Sequence, residues 1–293
     1  MHSLKPQPCD KMVVVPKDRN LSIQQSAVRI KTESWQLGKV KVMYNKTVLD
    51  NGLRVITSAM PHSRSVCVAI LVGAGSCYEA QKEAGISHFA EHVFFKGTKR
   101  RPTAKEISQD IEGIGGIING GTDKELTVFW AKVASPHFSV ALDVLADLLL
   151  NSRFDGRDIE QERHVVMEEI NMNLDLPRER VSMLIDEMLW PEQPLGREVI
   201  GDKETVASIT REQMLNYIAR RYVPNNTVVS AAGGIQPKKA VAQIDRLLGE
   251  WAAAELSTGY KVADDHSARH SRILWRDGEQ AHLCLGVHGF SHS

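Results

Sequence analysis

An α+β fold, a mostly antiparallel sheet with helices packed on one face, is what this sequence predicts, and three observations predict it. Residues 44–49 and 53–59 read as two strands around Asp50-Asn51-Gly52, and Asn-Gly accepts the positive φ of a tight hairpin. Ser65–Val72 is a continuous apolar run of strand length that ends at Gly73. Several capped helical segments then follow, grouped rather than alternating one-for-one with strands.

The remaining elements read off in order. A helix is expected over residues 85–95, stopped by Gly97. Another starts at Thr103, where Thr103-Ala-Lys-Glu106 has the form of a capping box after Pro102. The glycine-rich run 113–121 reads as a tight turn leading into a strand over 126–133. It has no G-x-x-x-x-G-K-[ST] pattern, so a phosphate loop is excluded. Ser135-Pro136 opens an apolar helix through Leu150. Asp155 caps a long helix to about residue 173, and Pro177 breaks the pattern. Helices over 178–190 and 210–222, a strand over 227–232 and a helix over 237–251 complete the main body.

Residues 1–42 are polar and unpatterned and read as a disordered extension. The main folded body is expected over 43–253, a polar linker over 254–271, and strands over 273–275 and 282–287. The chain has 293 residues, with 36 Lys and Arg against 36 Asp and Glu. That zero balance gives no sign of a nucleic-acid or membrane-surface binder. No apolar run has the length of a transmembrane span or a signal peptide. Cys9, Cys67, Cys77 and Cys284 are scattered and form no C-x-x-C pair. Reduced thiols and a cytoplasmic location are expected.

The chemistry-bearing segment is Ser87-His88-Phe89-Ala90-Glu91-His92. On a helix, His88 and His92 are one turn apart and project from one face, which suits two ligands of a tetrahedral zinc. Glu91 lies three residues after His88, close to the same face. A carboxylate there can take a proton from a water and pass it to a leaving amine without itself being a ligand. Downstream, Glu162 and Glu169 are seven residues apart on the long helix, two turns and nearly one face. Val165, Val166, Met167 and Ile170 surround them. Two aligned acids amid that much apolar surface leave two readings open: a solvated charged face of the helix, or a pair pointing into a site, one as ligand and one as a supporting acid.

These residues resemble the inverzincin metallopeptidases of the pitrilysin or insulinase family, whose signature is H-x-x-E-H. Gly85-Ile-Ser-His88-Phe-Ala-Glu91-His92-Val-Phe-Phe-Lys-Gly-Thr98 is similar to the family's active-site helix, and Glu162-Arg-His-Val-Val-Met-Glu-Glu169 to its third-ligand helix. The 76 residues between His92 and Glu169 match the family's spacing. Leu49-Asp-Asn-Gly-Leu-Arg-Val55, Pro194-Leu-Gly-Arg197 and Tyr222-Val-Pro-Asn-Asn226 also resemble recurring family stretches.

The resemblance implies a clamshell half-domain and a zinc endopeptidase acting on extended or unstructured peptides. It implies Zn2+ on His88, His92 and Glu169, with Glu91 as general base and Glu162 behind the ligands. Asn119-Gly-Gly-Thr-Asp-Lys-Glu125 resembles the family's substrate-side strand, so Asn119, Gly120 and Glu125 are the candidate peptide-binding residues. The family has Ala where this chain has Gly120. It also closes a second, metal-free domain over the substrate, and only residues 272–293 resemble the start of that half. The family's substrate-binding Arg and Tyr from the second half have no counterpart here. A missing second domain or a homodimer is therefore the expected partner. A non-catalytic partner subunit or a poorly active fragment is the alternative to an active peptidase.

Overall fold

The computed structural model describes residues 44–256, 271–275 and 281–287. The 1–42 extension and most of the 254–271 linker lie outside these residues. The chain divides into two units, one comprising Val42–Ala263 with Cys284–Ser293, the other Met1–Lys41 with Asp264–Leu283.

The first unit is built on a six-stranded sheet. Its strands are β1 (Asn45–Val48), β2 (Arg54–Ala59), β3 (Ser65–Val72), β4 (Ile117–Thr122), β5 (Thr127–Ala134) and β6 (Thr227–Gly233), in the order β1-β2-β6-β3-β5-β4. All pairs are antiparallel except β2 with β6. The parallel pair arises because the chain leaves β2, builds almost everything else, and returns between β2 and β3. Nothing local in the sequence signals a pairing made over that separation.

One face of the sheet is the core. Val66, Val68, Ile70 and Val72 of β3 are buried, as are Phe129, Ala131 and Val133 of β5 and Val229 and Ala231 of β6. Residues two apart on a strand share a face, so these form one apolar surface. Helices cover it: α1 (Ile86–Phe94), α2 (Ala104–Glu112), α3 (Phe138–Asn151) and α8 (Pro237–Leu248) all pack on strands. α4 (Gly156–Asp175) lies against α1, with α5 (Pro177–Leu189) and α6 (Lys203–Ser208) beside it. α7 (Arg211–Arg221) reaches α1 through Tyr217. The α+β architecture is the one expected.

Local chemistry explains the boundaries. Thr103 and Glu106 form the reciprocal capping box at α2. Asp155 accepts from the Arg157 N–H at the start of α4. Three details differ from expectation. The glycine-rich run is not only a turn, since β4 occupies residues 117–122 within it. α6 was missed, although Asp202 and Thr205 cap it reciprocally. Residues 273–275 and 282–287 adopt no strand, and Ile273, Trp275, Leu283, Leu285 and Val287 are exposed. A strand needs a neighbour for its backbone groups, and these segments pair with none of the described strands.

Candidate metal centre

The site begins with the anchoring of α1. Its inward residues Ile86, Phe89, Ala90, Val93 and Phe94 are in the core, so the helix cannot rotate without disrupting packing. Gly85 precedes it at φ 90°, and a Cβ there would lie 2.5 Å from the Ile200 carbonyl oxygen. The first-turn amides of Gly85 and Ser87 donate to the two carboxylate oxygens of buried Glu79, each at 2.8 Å. A carboxylate on those free N–H groups also complements the helix dipole. Burial raises the Glu79 carboxyl, while these hydrogen bonds pull it back down. Ser87 Oγ is 2.7 Å from the Tyr217 hydroxyl, which ties α1 to α7.

On this fixed helix, His88, Glu91 and His92 bring their donor atoms within 4.8 Å of one another. The imidazole centroids of His88 and His92 are 4.6 Å apart. α4 faces them. Glu169 Oε2 lies 3.7 Å from His88 Nε2 and 3.7 Å from His92 Nε2. Its neighbour Glu168 is exposed. Two turns back, Glu162 is only 2% exposed, and its Oε2 is 3.3 Å from His92 Nδ1. Its other oxygen is 2.6 Å from Lys96 Nζ.

This arrangement fits a zinc ion. Bonds of about 2.0–2.1 Å in a tetrahedron separate donor atoms by about 3.4 Å, close to the observed spacing. With Nδ1 of His92 facing Glu162, Nε2 is the free atom, and it points where Glu169 does. Burial, and then the neighbouring His92, lower the His88 pKa to about 4, so this imidazole is neutral near pH 7 with a lone pair available. Among the described residues, His88 Nδ1 is buried without a hydrogen-bond partner.

Two carboxylates compete for the third ligand position, since Glu91 is also close to the histidines. Their settings differ. Glu169 approaches both Nε2 atoms equally from the opposite helix. Glu91 sits on α1 itself, and burial raises its carboxyl pKa, opposed by His92 and reinforced by Glu169. A carboxylate whose charged form is penalised by burial takes up a proton more readily.

The three candidate peptide-binding residues are dispersed. Gly120 on β4 is against the site, where a Cβ would lie 2.5 Å from Glu91 Oε1 and 2.7 Å from the Phe95 ring. Asn119 is exposed, with its side-chain oxygen accepting from the Gly120 N–H at 2.8 Å. Glu125 is exposed in the β4–β5 turn, and its charge acts on Cys77 and Tyr78. Sequence reasoning missed Glu79 and Lys96. Glu79 had a weak signal, as an acid six residues before a helix start. Lys96 had none, because its partner is 66 residues away in the chain.

A family model described as Insulinase (Peptidase family M16) matches residues 54–203, and one described as Peptidase M16 inactive domain matches residues 208–292. A Bacillus subtilis protein named uncharacterized zinc protease YmxG is 36% identical over 247 residues, covering 84% of this chain and 59% of that protein. A probable mitochondrial-processing peptidase subunit beta of Arabidopsis thaliana is 36% identical over 219 residues, covering 75% and 41%. The chain thus spans about half the length of these relatives. Among solved structures, the periplasmic protease PqqL from Escherichia coli superposes with a TM-score of 0.70 at 27% identity, covering 76% of this chain and 26% of that one. A Helicobacter pylori protease shares the fold, with a TM-score of 0.71 at 21% identity over 75% of this chain and 53% of its own. With about half of its residues matched by the first of those family models, the chain belongs to the insulinase family, peptidase family M16.

Proposed function

We propose that this chain is the metal-binding half of a zinc-dependent endopeptidase that hydrolyses extended peptides. One observation carries the reading: two imidazole Nε2 atoms on α1 converge on one oxygen of Glu169 on α4, with the buried Glu91 carboxyl beside them. His88, His92 and Glu169 would hold the ion. Bound zinc supplies polarisation of the scissile carbonyl and acidifies a nearby water.

The protein's own contribution is proton handling and placement. Glu91 takes a proton from the attacking water as the water oxygen bonds to the carbonyl carbon. The C–N bond then breaks, and Glu91 returns that proton to the departing amine nitrogen. Burial keeps the Glu91 carboxyl basic enough for both transfers. Substrate placement falls to β4, the outer strand of the sheet beside α1. A peptide adding to that edge would be held by main-chain hydrogen bonds, with little dependence on sequence. The face above the site would be covered by a second domain, as in a longer chain, or by a second copy.

The test is hydrolysis of a flexible fluorogenic peptide by protein of measured zinc content. Activity that disappears on chelation and returns with stoichiometric Zn2+ is the expected result. Zinc-free protein with undiminished turnover overturns the reading. A protein that binds zinc and never cleaves, even with a second domain appended, is a non-catalytic partner subunit instead.

A further inference from the structure

We propose that Lys96 is a positioning residue for the metal site, acting through Glu162 on the orientation of the His92 ring. The inference rests on the reading of His92 as a zinc ligand. It adds a residue that neither the H-x-x-E-H pattern nor the third-ligand helix contains.

The geometry is a three-membered chain. Lys96 Nζ is 2.6 Å from Glu162 Oε1, and Glu162 Oε2 is 3.3 Å from His92 Nδ1. His92 Nε2 then faces Glu169 at 3.7 Å. Among the described residues each oxygen of Glu162 has one partner, and the side chain is only 3% exposed, so solvent offers little substitute for either. The Lys96 side chain is 31% exposed. Its stem reaches inward over the end of α1 while its charge keeps part of its hydration.

Lys96 is also well placed by its backbone. It follows the last turn of α1 directly, and its N–H donates to the Val93 carbonyl at 3.1 Å. Two residues on, buried Thr98 donates to Asp147 of α3 at 2.7 Å. The ammonium is therefore delivered to Glu162 from a segment pinned on both sides.

Removing the ammonium leaves Oε1 of a nearly dry carboxylate without a donor. The carboxylate is then no longer held in place from that side, and Oε2 leaves His92 Nδ1. An imidazole with no acceptor behind it is free to flip, which exchanges the positions of its two nitrogens. Outer partners of ligating histidines change metal affinity by about 10–100-fold when lost.

The experiment measures the Zn2+ dissociation constant of wild type, Lys96→Met, Lys96→Arg and a Lys99→Met control, by competition with a chromophoric chelator. Metal-free melting temperatures and the 15N resonances of the His92 ring are recorded alongside. The expected result is zinc binding weakened about 10–100-fold in Lys96→Met. Lys96→Arg recovers most of that loss, and Lys99→Met does not change. The metal-free melting temperature of Lys96→Met stays near wild type, while the His92 ring nitrogens move toward a mixed-tautomer pattern. Wild-type affinity in Lys96→Met overturns the inference and leaves the metal site standing. A weakened affinity that tracks an equal fall in metal-free stability also overturns it, since the role is then structural. A wild-type protein that takes up no zinc at all overturns the inference and the proposed function together.

Discussion

Gly120 on β4 lies so close to Glu91 on α1 that a single methyl group would not fit between them. A Cβ at residue 120 would be 2.5 Å from Glu91 Oε1 and 2.7 Å from Phe95 Cε2. The carboxylate is the end of a flexible side chain, but the Phe95 ring is packed against Phe129 and yields less easily. The family resemblance leads one to expect Ala at this position, but in this chain Glu91 and Phe95 close directly on Gly120, so Gly120→Ala is expected to displace Glu91 from its position beside the histidines. Misplacement of a proton acceptor by about 1 Å costs up to about 100-fold in rate. The expected outcome is a 10–100-fold lower kcat with zinc content unchanged, read by peptide hydrolysis and elemental analysis of the same samples. An Ala variant with wild-type kcat would show that Glu91 tolerates the shift.

Glu169→Gln separates the two carboxylates at the site. Glu169 Oε2 approaches both Nε2 atoms at 3.7 Å, whereas Glu91 shares a helix with them. Gln preserves size and removes the charge. The variant should lose most bound zinc, while Glu91→Gln should keep it. Elemental analysis after dialysis against a weak chelator reads both, and full retention in Glu169→Gln removes that residue from the ligand set.

Much of this architecture was legible along the chain, and the failures have physical causes. The Asp50-Asn51-Gly52 hairpin and the Thr103 capping box are local, so they could be read from neighbouring residues. His88, Glu91 and His92 are local too, being one turn of one helix. Glu162 and Glu169 share a face by helical period, but that α4 turns this face to α1 is a tertiary fact, and sequence supplied it only through family resemblance. β4 was obscured because glycine has poor strand propensity. Gly120 is there for clearance from Glu91 and Phe95, so tertiary packing overrode the local signal. The β2–β6 pairing and the Lys96–Glu162 contact join distant segments and left no mark on local pattern.

Acid should loosen the segment that follows the active-site helix. Arg100 and Arg101 both hydrogen-bond Asp143 at 2.8 Å, and Arg101 also reaches buried Asp147 at 2.7 Å. Partial burial raises the Asp143 carboxyl, but the two arginines outweigh it and hold its pKa below the usual 3.8. A depressed carboxyl pKa contributes stability above the unfolded value and loses it as pH falls through the folded one. Asp143→Asn should therefore melt below wild type near pH 7, with the gap closing below about pH 4. Thermal melts across that range test it, and a gap that widens in acid contradicts the assignment.

Glu91→Gln is the most direct test of how the proposed reaction runs. Glu91 is 9% exposed, and burial raises its carboxyl while His92 pulls it down and Glu169 pushes it up. The amide keeps the shape and the contact with β4 but cannot accept a proton. Proton transfer by a positioned carboxylate contributes about 100- to 10,000-fold, so kcat should fall by that range. KM should change little, because the proposed main-chain hydrogen bonding of peptide at the β4 edge would not depend on this charge. Zinc content should stay at the wild-type value, which distinguishes a lost base from a lost ligand. The measurement is steady-state hydrolysis of one fluorogenic peptide at matched zinc occupancy, on whichever form of the protein shows turnover. A Glu91→Gln variant that cleaves at the wild-type rate would mean the proton passes through another group. One that loses its zinc instead would place Glu91, rather than Glu169, among the ligands.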